Sequence, residues 1–445
     1  MSEYSLYRGL DWDKFILAAV GDCLLTQRFS CYDDEDFLQI VEILRGADCS
    51  CANLEGGIHD WKGFPTNPTG TATWMVGQPA ILDDIKWMGF NIVCRANNHS
   101  QDYGLEGLVA TTEQCKRVDL PFAGVGMNLG EARSPTYLET RRGRVALISA
   151  TTSFTSWAMA GESSRDMVGR PGVNGIRYDT IYAVDENSME AIKRIVSMLE
   201  LKVAKKENGE FHMPFRGRAK DYSERVNIRF VKGEKPEVIH IPRMRDMKAN
   251  IRSVKDARRM ADWVLFGLHH GMESFIPSIC RSLIDVGADA VLGHGPHRLE
   301  GIEIYEDKPI FYSLSDFFQQ NDSPVRLPAD FYERFEVDSE MSIADALDAR
   351  NEWDGGARLK SFVESPLSWE AIIPICNFDF KTRRLIDVKL YPIDSGWMRS
   401  RSQRFPLLAR GERGREIIER IKKLSVPYGT EIIFEDGVGK VKLDN

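Results

Sequence analysis

Cysteine is scarce in this chain. Its 445 residues include eight cysteines, at positions 23, 31, 49, 51, 94, 115, 280 and 376. Most of them lie within or beside apolar runs, where a thiol behaves as a small hydrophobic side chain. So few cysteines in so long a chain do not indicate a disulfide framework. We therefore predict that they are reduced and structural.

Long apolar runs and an excess of basic residues are also missing. No run approaches the roughly 18 apolar residues of a membrane span, and the apolar stretch at residues 15–20 is shorter than the core of a signal peptide. We therefore predict no membrane span and a cytoplasmic location. Lys and Arg number 58 against 66 Asp and Glu, so the net charge is -8. This charge argues against nucleic acid as a partner, because nucleic-acid binders present basic surfaces.

The most distinctive feature that is present is the placement of histidine. Five of the eight histidines sit in three short clusters, and each cluster follows an apolar run that predicts a buried strand. Two further apolar runs upstream also end in polar residues. The five strand ends are Gly21-Asp22, Asn53-Leu54-Glu55, Asn97-Asn98-His99, Leu268-His269-His270-Gly271 and Gly293-His294-Gly295-Pro296-His297.

Apolar runs alternate with stretches of helical period between residues 14 and about 150, and again from residue 261. This alternation predicts an α/β fold. Residues from about 153 to 260 interrupt it with a helical pattern at 186–206 and a polar, weakly patterned stretch, which we interpret as an insertion. Residues 319–445 add an irregular stretch, strand-like segments at 372–393, a helix at 415–424 and a hairpin. We expect them to pack on the same domain as residues 14–318.

The residue types at the strand ends are those of a metal site. Imidazole, carboxylate and amide oxygen together suit borderline divalent ions such as Mn, Fe(II), Zn or Co, and the absence of cysteine from these clusters argues against a thiolate zinc site. Open α/β proteins build their sites at the carboxyl ends of strands. Each residue alone also has a structural interpretation, as a turn, cap or loop residue. Their number and order favour one metal-bearing active site.

These motifs resemble the CapA/PgsA family, which is named for poly-γ-glutamate capsule synthesis and is similar to the calcineurin-like metallophosphoesterases. The resemblance runs in order over roughly residues 14–318. Its segments are Ala19-Val20-Gly21-Asp22, Ala52-Asn53-Leu54-Glu55, Ala96-Asn97-Asn98-His99 with Asp102-Tyr103-Gly104, Arg170-Pro171-Gly172-Val173-Asn174, His269-His270-Gly271-Met272-Glu273, Gly287-Ala288-Asp289, Gly293 to His297 and Tyr312-Ser313-Leu314.

The resemblance implies a four-layer αββα sandwich with an inserted segment, a C-terminal extension and a metal centre. The centre would hold one or two divalent ions, of Mn, Zn, Fe(II), Co or Ca. The implied ligands are Asp22, Asn53, Glu55, Asn98, His99, His269, His294 and His297. Leu24 stands where a phosphoesterase carries a histidine, and Glu55 or Asn53 replaces the bridging aspartate. Two alternatives follow: one tight ion with one weak ion, or one ion alone.

Residues beside the ligands receive catalytic or supporting roles. His99 or His270 could protonate a leaving group, although His270 could equally pack in the interior. Asp102, which we place with the catalytic residues, and Glu273 could orient ligating imidazoles or simply cap helices.

The resemblance implies an enzyme, a metal-dependent hydrolase in which the ion polarises the scissile group and activates water. The substrate would be a phosphoester by analogy with the phosphoesterases, or an amide such as a γ-glutamyl or peptide bond by analogy with the capsule pathway. The expected partner is thus a small anionic or peptide-like molecule. Two alternatives stay open, since fold analogy does not choose the reaction: a metal-assisted epimerase that exchanges the α-proton of a peptide, and a non-catalytic component of capsule synthesis. The oligomeric state is left open.

Overall fold

The computed structural model of the chain describes residues 13–66, 73–199, 204–205, 211–215, 226–352 and 365–443. The chain divides into two compact units. One unit, the main unit, comprises Met1–Gly175, Ala249–Gly271 and Ile279–Asn445. The other, the insertion unit, comprises Ile176–Lys248 and Met272–Ser278.

The described residues form the following elements. The strands are β1 (Lys14–Leu24), β2 (Cys49–Leu54), β3 (Gly57–Ile58), β4 (Val76–Gly77), β5 (Ile92–Cys94), β6 (Phe122–Ala123), β7 (Val125–Gly126), β8 (Thr136–Thr140), β9 (Gly143–Thr151), β10 (Gly172–Val173), β11 (Tyr178–Val184), β12 (Ala204–Lys205), β13 (Phe211–Phe215), β14 (Val226–Lys232), β15 (Glu237–Pro242), β16 (Trp263–His269), β17 (Ala290–His294), β18 (Ile302–Tyr305), β19 (Lys308–Phe311), β20 (Asp316–Gln319), β21 (Glu370–Asp379), β22 (Leu385–Asp394), β23 (Leu407–Leu408), β24 (Ile432–Glu435) and β25 (Val438–Val441). The α-helices are α1 (Glu35–Arg45), α2 (Ile81–Met88), α3 (Gly104–Arg117), α4 (Leu129–Arg133), α5 (Glu186–Met198), α6 (Met244–Arg258), α7 (Ile276–Asp285), α8 (Ala329–Arg334), α9 (Ile343–Glu352) and α10 (Gly411–Ser425).

Two sheets form the centre of the main unit. The larger has the strand order β24-β25-β22-β21-β1-β2-β5-β6, with β20 also paired to β1 and β23 to β22. Strands β1, β2, β5, β6 and β20 are parallel, whereas β21 pairs with β1 in antiparallel fashion. The smaller sheet has the order β18-β19-β17-β16-β9-β8, with a parallel centre formed by β19, β17, β16 and β9.

The two sheets pack face to face. Alternate residues of β1 point to the same side of a strand, and Phe15, Leu17 and Ala19 cluster there with Leu265 of the smaller sheet. The ring of Phe15 stacks on that of Trp263, with the centroids 4.3 Å apart. The interface between the sheets is therefore the main apolar core.

Helices cover the outer faces of both sheets. Ala18 and Val20 of β1 point away from the smaller sheet and cluster with Ile40 of α1 and Ile85 of α2. In the smaller sheet, α7 connects the parallel strands β16 and β17, and such a crossover lays its helix on a face of the sheet. Because the larger sheet occupies the inner face, α7 lies on the outer one. The resulting αββα layers confirm the predicted fold class.

The C-terminal part contributes strands to the larger sheet. Leu17 of β1 pairs with Cys376 of β21, and β22, β23, β24 and β25 continue the sheet from there. Helix α10 packs Ile417 and Ile421 into the same apolar cluster as Leu17. The helix and terminal hairpin lie where the sequence predicts them.

The insertion unit contains a five-stranded sheet of order β12-β13-β14-β11-β15. The predicted helix at 186–206 is too long: α5 ends at Met198, and Ala204–Lys205 is a strand. The sequence does not predict β13, β14 or β15 either. In β15 every side chain is exposed or half-exposed, so its apolar alternation is weak. None of the helices formed by the described residues has the length and apolarity of a membrane span.

Candidate metal centre

The carboxyl ends of parallel strands from both sheets carry the candidate ligands. Asp22, near the end of β1, is the register partner of Asn53 in β2. His269 and His294 end the neighbouring strands β16 and β17, where they are also register partners. Because parallel strands end at a common edge of each sheet, the sequence pattern of apolar run and then polar residue brings these groups together.

Asp22, His269 and His294 form one possible ligand group. Asp22 Oδ1 lies 3.6 Å from His269 Nδ1 and 3.8 Å from His294 Nδ1, and the two imidazole Nδ1 atoms are 3.3 Å apart. All three side chains are buried. One carboxylate and two imidazoles of this spacing are a common donor set for borderline divalent ions.

Asp22, Glu55 and His297 form another possible ligand group. Asp22 Oδ2 lies 3.9 Å from His297 Nδ1, and it also accepts a hydrogen bond of 2.8 Å from the Gly295 amide. Asp22 is thus shared by both groups. The geometry resembles a centre in which one carboxylate bridges two ion positions.

The surroundings of the Glu55 carboxylate indicate whether a cation fits this site. Both of its carboxylate oxygens are buried, and neither has a hydrogen-bond partner among the described residues. Glu55 Oε1 lies 3.8 Å from His269 Nε2, 3.9 Å from His99 Nε2 and 4.0 Å from His297 Nε2. These distances are too long for hydrogen bonds. Two atoms that each lie about 2 Å from one ion are separated by about 3 to 4 Å, so the donor set fits a divalent cation.

The electrostatics of the group also favour a cation. Burial raises the pKa of Glu55 well above its usual value, and the charges of Asp22 and Asp316 raise it further. Burial acts in the same direction on Asp22, but the hydrogen bond and charge of His269, followed by other imidazoles, lower the pKa of Asp22 overall. Burial lowers the pKa of His269 to about 4. At neutral pH Asp22 is ionised and His269 is neutral, as metal binding requires.

His99 is held by Asp102. The two side chains are 2.6 Å apart at His99 Nδ1 and Asp102 Oδ2, and the same oxygen accepts a 2.7 Å hydrogen bond from the Met75 amide. Both residues are buried. The contact leaves His99 Nε2 directed toward Glu55, so His99 can act either as a ligand or as a proton donor.

The predicted amide ligands lie beside the same cluster. Asn53 Nδ2 donates to Asp22 Oδ1 at 2.6 Å, and Asn97 Nδ2 donates to Asn53 Oδ1 at 3.3 Å. Asn98 Oδ1 lies 2.7 Å from His269 Nε2. These contacts bring Asn53 and Asn98 to the carboxylate and imidazole groups, and their role as ligands stays a prediction.

His270 and Glu273 have different surroundings. His270 is buried, and its Nε2 lies 2.7 Å from the carbonyl oxygen of Tyr312, which favours the packing role. Glu273 belongs to the insertion unit, where its carboxylate contributes to raising the pKa of the Tyr178 hydroxyl, after burial. The predicted roles of His270 in catalysis and of Glu273 in orienting an imidazole stay predictions.

Comparison with known proteins identifies the family. The chain matches the family model of the bacterial capsule synthesis protein PGA_cap over residues 16–321. The chain belongs to this family. The result confirms the predicted membership, and the matched range includes every predicted ligand of this PGA_cap protein.

Its relatives include proteins named for capsule synthesis. Capsule biosynthesis protein CapA of Bacillus anthracis is 24% identical over 68% of this chain and 60% of its own length. PGA biosynthesis protein CapA of Bacillus subtilis (strain 168) is 22% identical over 64% of this chain and 56% of its own length. Uncharacterized protein y4sH of Sinorhizobium fredii is 33% identical over 97% of this chain and 94% of its own length.

One solved structure resembles the chain weakly. It is described as a novel phosphatase from Mycoplasma pneumoniae, with a TM-score of 0.37 and 9% identity over 86% of this chain and 94% of that chain. This similarity is too low to carry a conclusion about fold or function.

Asp316 lies beside the candidate site, and the sequence pattern does not predict it there. Its Oδ1 lies 2.7 Å from His297 Nδ1, and its buried Oδ2 has no hydrogen-bond partner among the described residues. Asp316 is the register partner of Asp22, and a Cβ on Gly21 would overlap the neighbouring Ser315 carbonyl oxygen. The sequence feature that could have pointed to Asp316 is the motif Tyr312-Ser313-Leu314, which ends two residues before it.

Asp316→Ala is expected to weaken divalent-ion binding by about 10- to 100-fold, the usual effect of removing a group that orients a ligating imidazole. Asp316→Asn should have a smaller effect, because an amide oxygen can still accept a hydrogen bond from His297. Isothermal titration with Zn²⁺ or Mn²⁺ measures both values. Equal losses in the two variants would contradict an orienting role and would indicate that the charge itself matters.

Proposed function

We propose that this PGA_cap protein is a metal-dependent hydrolase. The observation that carries the proposal is the buried Glu55 carboxylate, which lacks hydrogen-bond partners among the described residues and has three imidazole Nε2 atoms within 4.0 Å of Oε1. A buried carboxylate without a partner is costly, and a divalent cation would neutralise it.

The metal-holding residues in this proposal are Asp22, Glu55, His269, His294 and His297, with Asp22 shared between two positions. Asn53, Asn98 and His99 complete the set. A bound divalent ion supplies Lewis-acid polarisation of the scissile group and activates water near neutral pH. Imidazole donors favour Mn, Zn, Fe(II) or Co over Ca, which prefers oxygen ligands.

The remaining chemistry falls to the His99–Asp102 pair. The Asp102 carboxylate accepts the Nδ1 proton of His99 and so fixes the tautomer and the direction of the ring. In that tautomer Nε2 carries a lone pair, so His99 can accept a proton from water there and then pass it to a leaving-group oxygen or nitrogen. The substrate class is a small phosphoester, or an amide of the γ-glutamyl or peptide type.

A peptide epimerase is the other candidate function, and one observation favours it. His99 and His297 each contact a carboxylate through Nδ1, those of Asp102 and Asp316, and each directs Nε2 toward Glu55 Oε1. Two imidazole–carboxylate pairs at one site could remove and return an α-proton from two directions.

The test uses metal-loaded protein in heavy water with a γ-glutamyl peptide, an α-linked peptide and a generic phosphoester. Mass spectrometry separates the outcomes: fragment masses mean hydrolysis, and a gain of about one dalton without cleavage means α-proton exchange. We expect fragments, their loss on chelation and their return with Mn²⁺ or Zn²⁺. Turnover that is indifferent to chelators would contradict the proposal, and no change with any metal would favour a non-catalytic component of capsule synthesis.

A further inference from the structure

Cys94 lies at the interface between the two sheets, next to the proposed metal centre. It is the last residue of β5 in the larger sheet and is buried. A Cβ built on Gly267 of the smaller sheet would overlap Cys94 Sγ and would lie 3.5 Å from His294 Nε2. The sulfur therefore occupies the space that a side chain at Gly267 would take, close to the ring of His294.

Among the described residues, His294 has no carboxylate oxygen within hydrogen-bond distance, unlike two other imidazoles of the site. Its Nδ1 faces the ligand group, 3.8 Å from Asp22 Oδ1. Its Nε2 is buried and has no hydrogen-bond partner of normal geometry among the described residues. His99 and His297, by contrast, contact Asp102 and Asp316. A ligating imidazole ordinarily has its other nitrogen held by such a group.

The Cys94 thiol interacts with His294. A contact with Cys51 is the largest influence that lowers the pKa of Cys94 to about 5, and contacts with His294 and Ser149 act in the same direction against burial. Sulfur forms longer and weaker hydrogen bonds than oxygen but can both donate and accept. The Cys94 sulfur can therefore accept a hydrogen bond from an imidazole N–H, which is the direction that lowers the pKa of a thiol.

We propose that Cys94 is a positioning residue of the metal centre: its sulfur accepts the Nε2 proton of His294 and holds Nδ1 toward Asp22 and the ion. The inference rests on the proposed metal centre and assigns a task to one of the eight cysteines. Gly267 supports the same arrangement, because only a residue without a side chain leaves room for the sulfur at this point of β16.

The test compares Cys94→Ala and Cys94→Ser with Cys376→Ala in the full chain. Cys376 is a matched control, because it is also a free, buried cysteine of the larger sheet and belongs to the same apolar cluster. Zn²⁺ affinity is measured by competition with a chromogenic chelator, the Co²⁺ absorption spectrum reports ligand geometry, and thermal unfolding reports the effect on packing.

We expect Cys94→Ala to lower Zn²⁺ affinity by about 10- to 100-fold and to change the Co²⁺ spectrum, while Cys376→Ala lowers the melting temperature only. Cys94→Ser should retain more affinity than Cys94→Ala, because a hydroxyl can still accept a hydrogen bond, and it covers the case in which the alanine variant does not fold. If wild-type protein binds the ion and both Cys94 variants match Cys376→Ala, the role of Cys94 is overturned. If wild-type protein binds no ion, the proposed metal centre fails together with this inference.

Discussion

Asp22→Asn is expected to abolish divalent-ion binding, with a loss that exceeds the roughly 10- to 100-fold effect of removing an orienting group. Asp22 belongs to both possible ligand groups, so its loss removes a negative donor from each. Asparagine is nearly isosteric and can still accept the hydrogen bond that Asp22 receives from the Gly295 amide. The fold should therefore persist. Metal content after dialysis and titration calorimetry measure the result.

Asp84→Asn is the matched control for this variant. Asp84 of α2 is an equally buried aspartate, and it accepts hydrogen bonds from the Arg28 guanidinium and from the Phe29 amide. Its replacement should lower thermal stability and leave metal binding unchanged, because none of the described ligand groups contains it. Wild-type affinity in Asp22→Asn would contradict the shared-ligand geometry.

Glu55→Gln is expected to stabilise the metal-free protein, whereas most substitutions of buried residues lower the free energy of unfolding. In the metal-free protein it should raise the free energy of unfolding by about 1 to 3 kcal/mol, since a buried carboxylate without hydrogen bonds carries a desolvation penalty of this order. It should also remove most of the stabilisation that the ion gives, which for wild-type protein is about 2.7 kcal/mol at a hundredfold excess over Kd. Chemical denaturation with and without Zn²⁺ measures both effects.

The stability gain of Glu55→Gln should grow with pH. The folded-state pKa of Glu55 is raised above the ordinary value of 4.5 by burial and by nearby carboxylates. Stability from its protonated form is therefore fully present below pH 4.5 and is lost as the pH rises through the folded-state pKa. The glutamine variant does not titrate, so its advantage over metal-free wild type increases over that interval. A difference that is constant with pH would contradict this account.

Glu370→Gln provides the control with the opposite expected sign. Glu370 is fully buried like Glu55, but it is paired with Arg413 at 2.8 Å and Arg420 at 2.6 Å. Removing one partner of such a pair leaves charge uncompensated and destabilises the fold. If Glu370→Gln also raised the free energy of unfolding, the gain in Glu55→Gln would have a cause other than the missing hydrogen-bond partners of Glu55.

The parts of the molecule that the sequence predicts are those with strong local signals. One of the stretches of helical period between residues 14 and about 150 is found as the helix Glu35–Arg45, where an Asp34 cap and an apolar face specify it. Asp22, His269 and His294 come together as the strand-end pattern predicts, because parallel strands fix the position of whatever follows them. Such features depend on a few neighbouring residues.

The parts that the sequence does not predict depend on pairing between distant segments. Asp316 reaches His297 because β20 adopts a particular register beside β1, and no local pattern specifies that register. In the sequence Cys94 is an ordinary apolar residue of a short strand. It comes close to His294 only because the smaller sheet packs against the larger one. In the insertion unit, half-exposed strands such as β15 carry too weak an alternation to be distinguished from loops.

The position of β1 between early and late parts of the chain has a consequence for biosynthesis. Leu17 pairs with Cys49 of β2 on one side of the strand and with Cys376 of β21 on the other. The strand that carries Asp22 therefore acquires its second neighbour only after most of the polypeptide has left the ribosome. Contacts of such long sequence separation form slowly. The nascent chain therefore emerges with most of its candidate ligands synthesised but with one edge of β1, the strand that contains Asp22, still unpaired. For the proposed metal centre, ion capture would then be a late, post-translational event.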